Sequence, residues 1–206
     1  AQDAAAKVVY TPAHHVILRK SHFALDLNHD GIADFTINQR STCFSSGCQT
    51  ALYANGAVPS GGNYVEGLRQ VFNFAYALKP RQLINSTKPF MGFAMYYRFR
   101  GQSTSRACSG SWVNVKNRYL GLRFIVKGET HFGWARLNVD CDRHDVKIGL
   151  LTGYAYETIP NKGIIAGKIT GPDVITVNPA SLGHLARGAV AISGRRVQQD
   201  SITTVP

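Results

Sequence analysis

The segment Tyr119–Val139 most constrains the fold, because it reads as strand, turn and strand. Leu120, Leu122, Phe124 and Val126 recur at every second position, which puts them on one face of an extended chain. Lys127-Gly-Glu-Thr130 then makes a hairpin turn into His131–Val139. An apolar strand face must be covered, so such a hairpin calls for more strands elsewhere in the chain. Candidates precede it at Lys7–Thr11, His15–Arg19, His22–Leu27 and Asp34–Gln39, and, after a Gly-rich stretch from Gly56 to Gly62, at Val71–Leu78, Phe90–Arg100 and Trp112–Val115. Others follow at Lys147–Leu151, Tyr154–Thr158, Gly163–Ile169 and Val174–Val177. A supply of 20 Gly, 10 Phe and 9 Tyr suits strands joined by tight turns, and a hydrophobic fraction of 44% excludes wholesale disorder.

These runs predict an all-β chain: a β-sandwich or jelly-roll-like domain over residues 1–178, with residues 179–206 as a C-terminal arm or tail. Two stretches leave a short helix open. Tyr64–Phe74 places Val65, Leu68, Val71 and Phe72 near helical spacing, and Ala180–Ile192 follows Pro179 with Leu182, Leu185, Ala189 and Ile192 near one face. No stretch approaches the roughly 18 apolar residues that a membrane-spanning helix needs.

The segment Asp26-Leu-Asn-His-Asp-Gly-Ile-Ala-Asp34 has the spacing of a calcium loop. Asp26, Asn28, Asp30 and Asp34 supply side-chain oxygens at loop positions one, three, five and nine, and Ile32 offers its backbone carbonyl at position seven. Gly31 falls where such a loop turns sharply. Ile37 stands where an EF-hand has its bidentate Glu, and both flanks are strand-like. A Ca2+-clipped connection between strands is expected. An ion-free Asx turn is the rival, but it leaves three carboxylates to repel one another.

Four cysteines allow three pairings. Cys43 with Cys48 around a Gly-containing turn, and Cys108 with Cys141 across neighbouring strands, is the favoured scheme. A zinc site is the alternative, though no C-x2-C pair supports it. Disulfides imply an oxidising compartment. The opening Ala1-Gln2-Asp3-Ala4 resembles the end left by a signal peptidase, which points the same way. The net charge of +11 comes from basic residues scattered from Lys7 to Arg196, without a dense run. It suits association with anionic surfaces and predicts no specific nucleic-acid binding.

Catalytic signatures are missing: there is no nucleophile elbow, P-loop, dinucleotide fingerprint or zinc-peptidase motif. Glu66, Glu129 and Glu157 are the carboxylates a glycosidase would need, but nothing in their spacing pairs them. Asp140-Cys-Asp-Arg-His-Asp145 is a second acidic cluster, read first as an exposed turn and second as a metal site. His131, at a strand start, is read as a packed surface residue. Trp112, Trp134 and Tyr96 are candidates for a sugar-stacking surface, with core packing as the alternative. Asn85-Ser-Thr87 is a glycosylation sequon.

Several motifs together resemble a family. Tyr119-Leu-Gly-Leu-Arg-Phe124, His131-Phe-Gly-Trp-Ala-Arg-Leu137, Gly153-Tyr-Ala-Tyr-Glu-Thr158 and Ile164-Ile-Ala-Gly167, preceded by Asp26–Phe35, look like the C-terminal half of PEP-CTERM-type exported bacterial proteins. Ser181-Leu-Gly-His-Leu-Ala-Arg-Gly-Ala189 is similar to their sorting helix, with His184 and Arg187 interrupting the apolar span. The resemblance implies an extracellular or cell-surface location and release without a membrane anchor; it implies no catalytic residues.

The expected function is therefore a non-enzymatic structural protein of the bacterial surface or matrix, with a secreted carbohydrate-binding module as the alternative. Apolar residues near both ends, Val8–Tyr10 and Ile202–Val205, predict arms that complete a neighbour's sheet and so lead to homo-oligomers or filaments. Extracellular polysaccharide is the other expected partner.

Overall fold

The computed structural model describes residues 7–18, 21–57, 61–69, 73–101, 108–141 and 147–178. Among them the regular structure is β throughout: β1 (Val8–Leu18), β2 (His22–Leu25), β3 (Phe35–Phe44), β4 (Gly47–Gly56), β5 (Tyr64–Val65), β6 (Leu83–Ile84), β7 (Ala94–Gly101), β8 (Val115–Val126), β9 (Glu129–Val139), β10 (Lys147–Glu157), β11 (Ile164–Ile165) and β12 (Val174–Thr176). A six-stranded sheet runs β12-β1-β10-β9-β8-β5, a four-stranded sheet runs β2-β3-β4-β7, and β11 pairs with β6. The predicted hairpin is β8–β9, in register from Val126–Glu129 back to Arg118–Leu137.

Alternation decides which side chains meet. Leu120, Leu122 and Phe124 of β8, with Ala135 and Leu137 of β9, face the four-stranded sheet. There they pack in one core with Leu25, Phe35, Ile37, Leu52, Met95 and Tyr96. The other face of the six-stranded sheet is covered as well. Phe132 and Trp134 of β9, Tyr119 of β8 and Tyr10 of β1 lie in a second core with Leu78, Ile84, Phe90 and Ile164. Tyr119 meets the Trp134 ring edge-on at 5.2 Å between centroids. A strand covered on both faces has no solvent side in its middle, which is why β9 is buried at every position from His131 to Ala135. Burying an aromatic side chain of about 200 Å² contributes up to about 5 kcal/mol.

Several expectations needed revision. The runs expected at Lys7–Thr11 and His15–Arg19 give one strand, β1 (Val8–Leu18), with a bulge between Pro12 and His15; Arg19 lies outside the described residues. Pro12 lies beyond the residues that pair with β12, where a missing N–H costs no ladder bond. Tyr154–Thr158 and Lys147–Leu151 likewise fuse into β10. Strand β4 was not foreseen, because Gln49-Thr-Ala-Leu-Tyr-Ala-Asn55 has weak strand propensity; pairing with β3 on one side and β7 on the other holds it. Of Val71–Leu78, the described residues 73–78 make only isolated bridges, at Phe74, Ala75 and Leu78. Trp112–Val115 is mostly turn, and Tyr64–Val65 is strand where a helix was an option.

The arms also look different. Val8–Tyr10 pairs with β10 on one side and β12 on the other, so it is an interior part of its own sheet. Ile202–Val205 and the rest of residues 179–206 lie outside the described residues.

Both favoured disulfides are present. Cys43–Cys48 links two directly paired residues of β3 and β4. Cys108–Cys141 does not join neighbouring strands as expected. Cys108 precedes Ser109, which bridges to Tyr97 of β7, whereas Cys141 follows β9, so the bond ties the edge of one sheet to the other. Its sequence separation is 33 residues against 5 for Cys43–Cys48. Chain-entropy arguments give roughly 4 kcal/mol for the longer closure and roughly 2 kcal/mol for the shorter. Replacing Cys108 and Cys141 by Ala should therefore lower the denaturation midpoint more than replacing Cys43 and Cys48; equal losses in urea melts would refute this ranking.

Candidate metal centre

The loop Asp26–Asp34 joins β2 to β3, and its ends are closed by Asp34 N–H donating to the Leu25 carbonyl at 2.8 Å. Leu27 anchors it, fully buried in the core between the sheets. Its acidic side chains accept the loop's own N–H groups. Asp26 takes His29 N–H at 2.7 Å and Gly31 N–H at 2.8 Å, one on each carboxylate oxygen. Asp30 takes Ile32 N–H at 2.8 Å and the Asn28 side-chain amide at 2.9 Å. Asp34 takes Leu27 N–H at 2.8 Å. Gly31 has φ +87°, the left-handed turn that this position was expected to need. His29, also left-handed at φ 62°, reaches Thr11 of β1 through a 2.8 Å bond between its Nε2 and the Thr11 hydroxyl. Sequence inspection gave no hint of that anchor, because a β-bulged strand had to bring Thr11 there.

Asp34 is 6% exposed. Burial pushes its carboxyl up to about 6, and the charges of Asp26 and Asp30 push the same way, against the Leu27 and Asn28 N–H groups. The negative field extends to the six-stranded sheet: burial raises the Tyr154 and Tyr156 phenols first, and Asp26 raises both further. A divalent cation would relieve this field. The donors are all oxygen, which suits a hard ion such as Ca2+ rather than Zn2+. Each carboxylate oxygen keeps a lone pair beyond its N–H bond. The Ile32 side chain, 62% exposed, points away, as it should at a carbonyl-donating position. As they stand, however, no three His, Cys, Asp or Glu side chains among the described residues converge to hold a metal.

The other candidates scatter. Trp112, Trp134 and Tyr96 are 0%, 0% and 2% exposed, so they fill the cores and offer no stacking platform. His131 is buried, not a surface residue, and its Nδ1 lies 2.9 Å from the Glu157 carbonyl. Glu157 is committed to Lys162 at 3.3 Å and to Ile159 N–H. Glu129 is exposed at the start of β9. Asp140 is exposed, and residues 142–145 of its cluster lie outside the described residues. The sequon side chain of Asn85 accepts from Thr87 N–H at 3.2 Å and from its hydroxyl at 2.7 Å.

Glu66 is the odd one among the carboxylates. It is 3% exposed, and its Oε2 has no hydrogen-bond partner. It lies against Gly121, where a Cβ would come within 2.5 Å of that oxygen. Burial lifts its carboxyl to about 7, and the charge it feels is that of Lys88, which lowers it. Among the described residues no second carboxylate acts on it.

Compared with known protein families, curated proteins and solved structures, the chain matches none. Its likeness to PEP-CTERM-type proteins rests on the quoted motifs alone.

Both raised acids predict one pH dependence. Their protons are held more tightly in the folded chain, so stability falls as pH rises, from 3.8 to about 6 for Asp34 and from 4.5 to about 7 for Glu66. In EDTA, urea midpoints should drop between about pH 4 and about pH 7, and Glu66→Gln should recover on the order of 2 kcal/mol at the upper end. A variant that is less stable than the parent at the higher pH would show that the ionised Glu66 is paired.

Proposed function

We propose that this protein is a non-enzymatic extracellular structural module, a disulfide-stapled β-sandwich whose loop Asp26–Asp34 takes Ca2+ as a further staple. The observation that carries the reading is Asp34, a carboxylate raised first by its burial and further by the charges of Asp26 and Asp30, at the connection between β2 and β3. A cation there turns a mutual repulsion into a shared attraction and holds the loop to the core through Leu27. Millimolar calcium outside cells suits the weak sites of extracellular modules, whose dissociation constants lie at about 0.1–1 mM. Two disulfides fit an oxidising compartment.

A structural role is supported by the carboxylates as well. Glu66 feels no partner acid, Glu157 is bound to Lys162, and an acid–base pair of the glycosidase kind needs two carboxyls facing one substrate. Self-association by strand addition remains part of the proposal, through a sheet edge such as β2, which pairs only with β3 among the described strands. Val8–Tyr10 is not the donor, being paired on both sides.

Melting in excess CaCl2 and in EDTA tests the staple. Calcium at about a hundred times its dissociation constant stabilises by about 2.7 kcal/mol, a rise of roughly 5–10 °C for a domain of this size. Asp26→Asn and Asp30→Asn should abolish the difference. Identical melts of the parent protein in the two buffers would remove calcium from the proposal.

A further inference from the structure

The four-stranded sheet has one face in the core and one turned outward. On its outward face β3 and β4 place Asn38 opposite Tyr53 and Thr36 opposite Asn55, with Arg40 opposite Ala51. These side chains line a trough of about 650 Å³. Small residues at Ala51, Gly56 and Ala57 give it depth between the longer side chains. A second groove of about 360 Å³ continues from it, sharing Asn55, Gly56 and Phe93 and reaching Tyr64 and Arg69. Neither has a carboxylate in its lining.

We propose that this continuous groove binds an acidic polysaccharide, a polymer of uronic acid residues. The chemistry matches at three levels. Tyr53 and Phe93 stack at 5.9 Å between centroids, 25° from parallel, and offer the apolar surface on which the C–H face of a pyranose packs. Amides and hydroxyls dominate the polar lining, and such groups donate to and accept from sugar hydroxyls. Exposed Arg40 in the first groove and Arg69 in the second are guanidinium forks for carboxylates spaced along a chain.

Charge selects the acidic polymer over a neutral one. The whole chain carries +11, which favours encounter with a polyanion, and the carboxylate-free groove adds no local repulsion. The length suits a polymer over a single sugar, since the two grooves are contiguous. This inference does not depend on the calcium loop, which lies outside the groove lining.

Titration calorimetry with short oligogalacturonates, in EDTA, tests it against neutral cello-oligosaccharides of equal length. Binding should weaken about tenfold in Arg40→Ala and in Tyr53→Ala, as expected for losing one charge-assisted contact or one stacked ring. Tyr53→Phe keeps the ring and should bind within about twofold of the parent protein. Lys116→Ala, which removes the same charge from the exposed start of β8, should change affinity less than about twofold. The proposal is overturned if the parent protein does not bind, if the neutral oligomer binds as tightly, or if Lys116→Ala costs as much as Arg40→Ala. Equal binding of a single-stranded oligonucleotide, lost in the same two variants, would reassign the groove to a different polyanion.

Discussion

Burial of the β8–β9 hairpin on both faces is the constraint on which the rest depends. One face carries Leu120, Leu122 and Phe124 against the four-stranded sheet. The other carries Tyr119, Phe132 and Trp134 beneath the chain around Leu78, Ile84, Phe90 and Ile164. A sheet with one dry face can stop at a two-layer sandwich. With two dry faces, it forces the long connections on either side of β6 to fold back over it. That covering layer has little regular hydrogen bonding of its own, and isolated bridges such as Gly67–Ala75 and Leu78–Tyr119 tie it down. Close backbone approach follows: a Cβ on Gly92 would stand 2.8 Å from the Ala75 Cα, so glycine is required there by space.

The same covering layer explains Glu66. Its N–H donates to Gly121 of β8 and its carbonyl accepts from Tyr76, so the backbone is well satisfied while the side chain is held under the layer. The carboxyl then meets burial without a counter-ion close enough to bond. Asp34 is buried for a different reason. Its backbone carbonyl is a junction that takes both Ala57 N–H and the Asn63 amide, and its side chain caps the loop through Leu27 N–H. Two acids are thus raised by the same physics, desolvation. Only Asp34 has other carboxylates beside it, and that difference separates a candidate cation loop from a lone buried acid.

The strands with strong alternation were legible, and so was the acidic loop, because both are local patterns. Strand β4 was not, since Leu52 and Ala54 join the core only when β3 and β7 supply hydrogen bonds on both sides. The short spacing favoured Cys43–Cys48 and left Cys108 for Cys141; that Cys108–Cys141 links two sheets was not legible, because the approach of Ser109 to β7 is a long-range bridge. Trp112 and Trp134 illustrate the limit most plainly. An aromatic residue suits a stacking surface and a core equally well; the packing between the two sheets buries Trp112, and the covering layer buries Trp134.

By itself the sequence determined the period-two strands, the oxygen donors of Asp26–Asp34 and the excess of positive charge, all properties of residues near one another or summed over the chain. The tertiary structure decided which faces were dry, where Val8–Tyr10 found its partners and which polar side chains shared the outward trough. Those outcomes depend on strand register and sheet order. A shift of one residue would exchange Asn38 and Arg40 for Ile37 and Gln39 on that face. Contacts between residues far apart in the chain set the register, so no local pattern could have announced it.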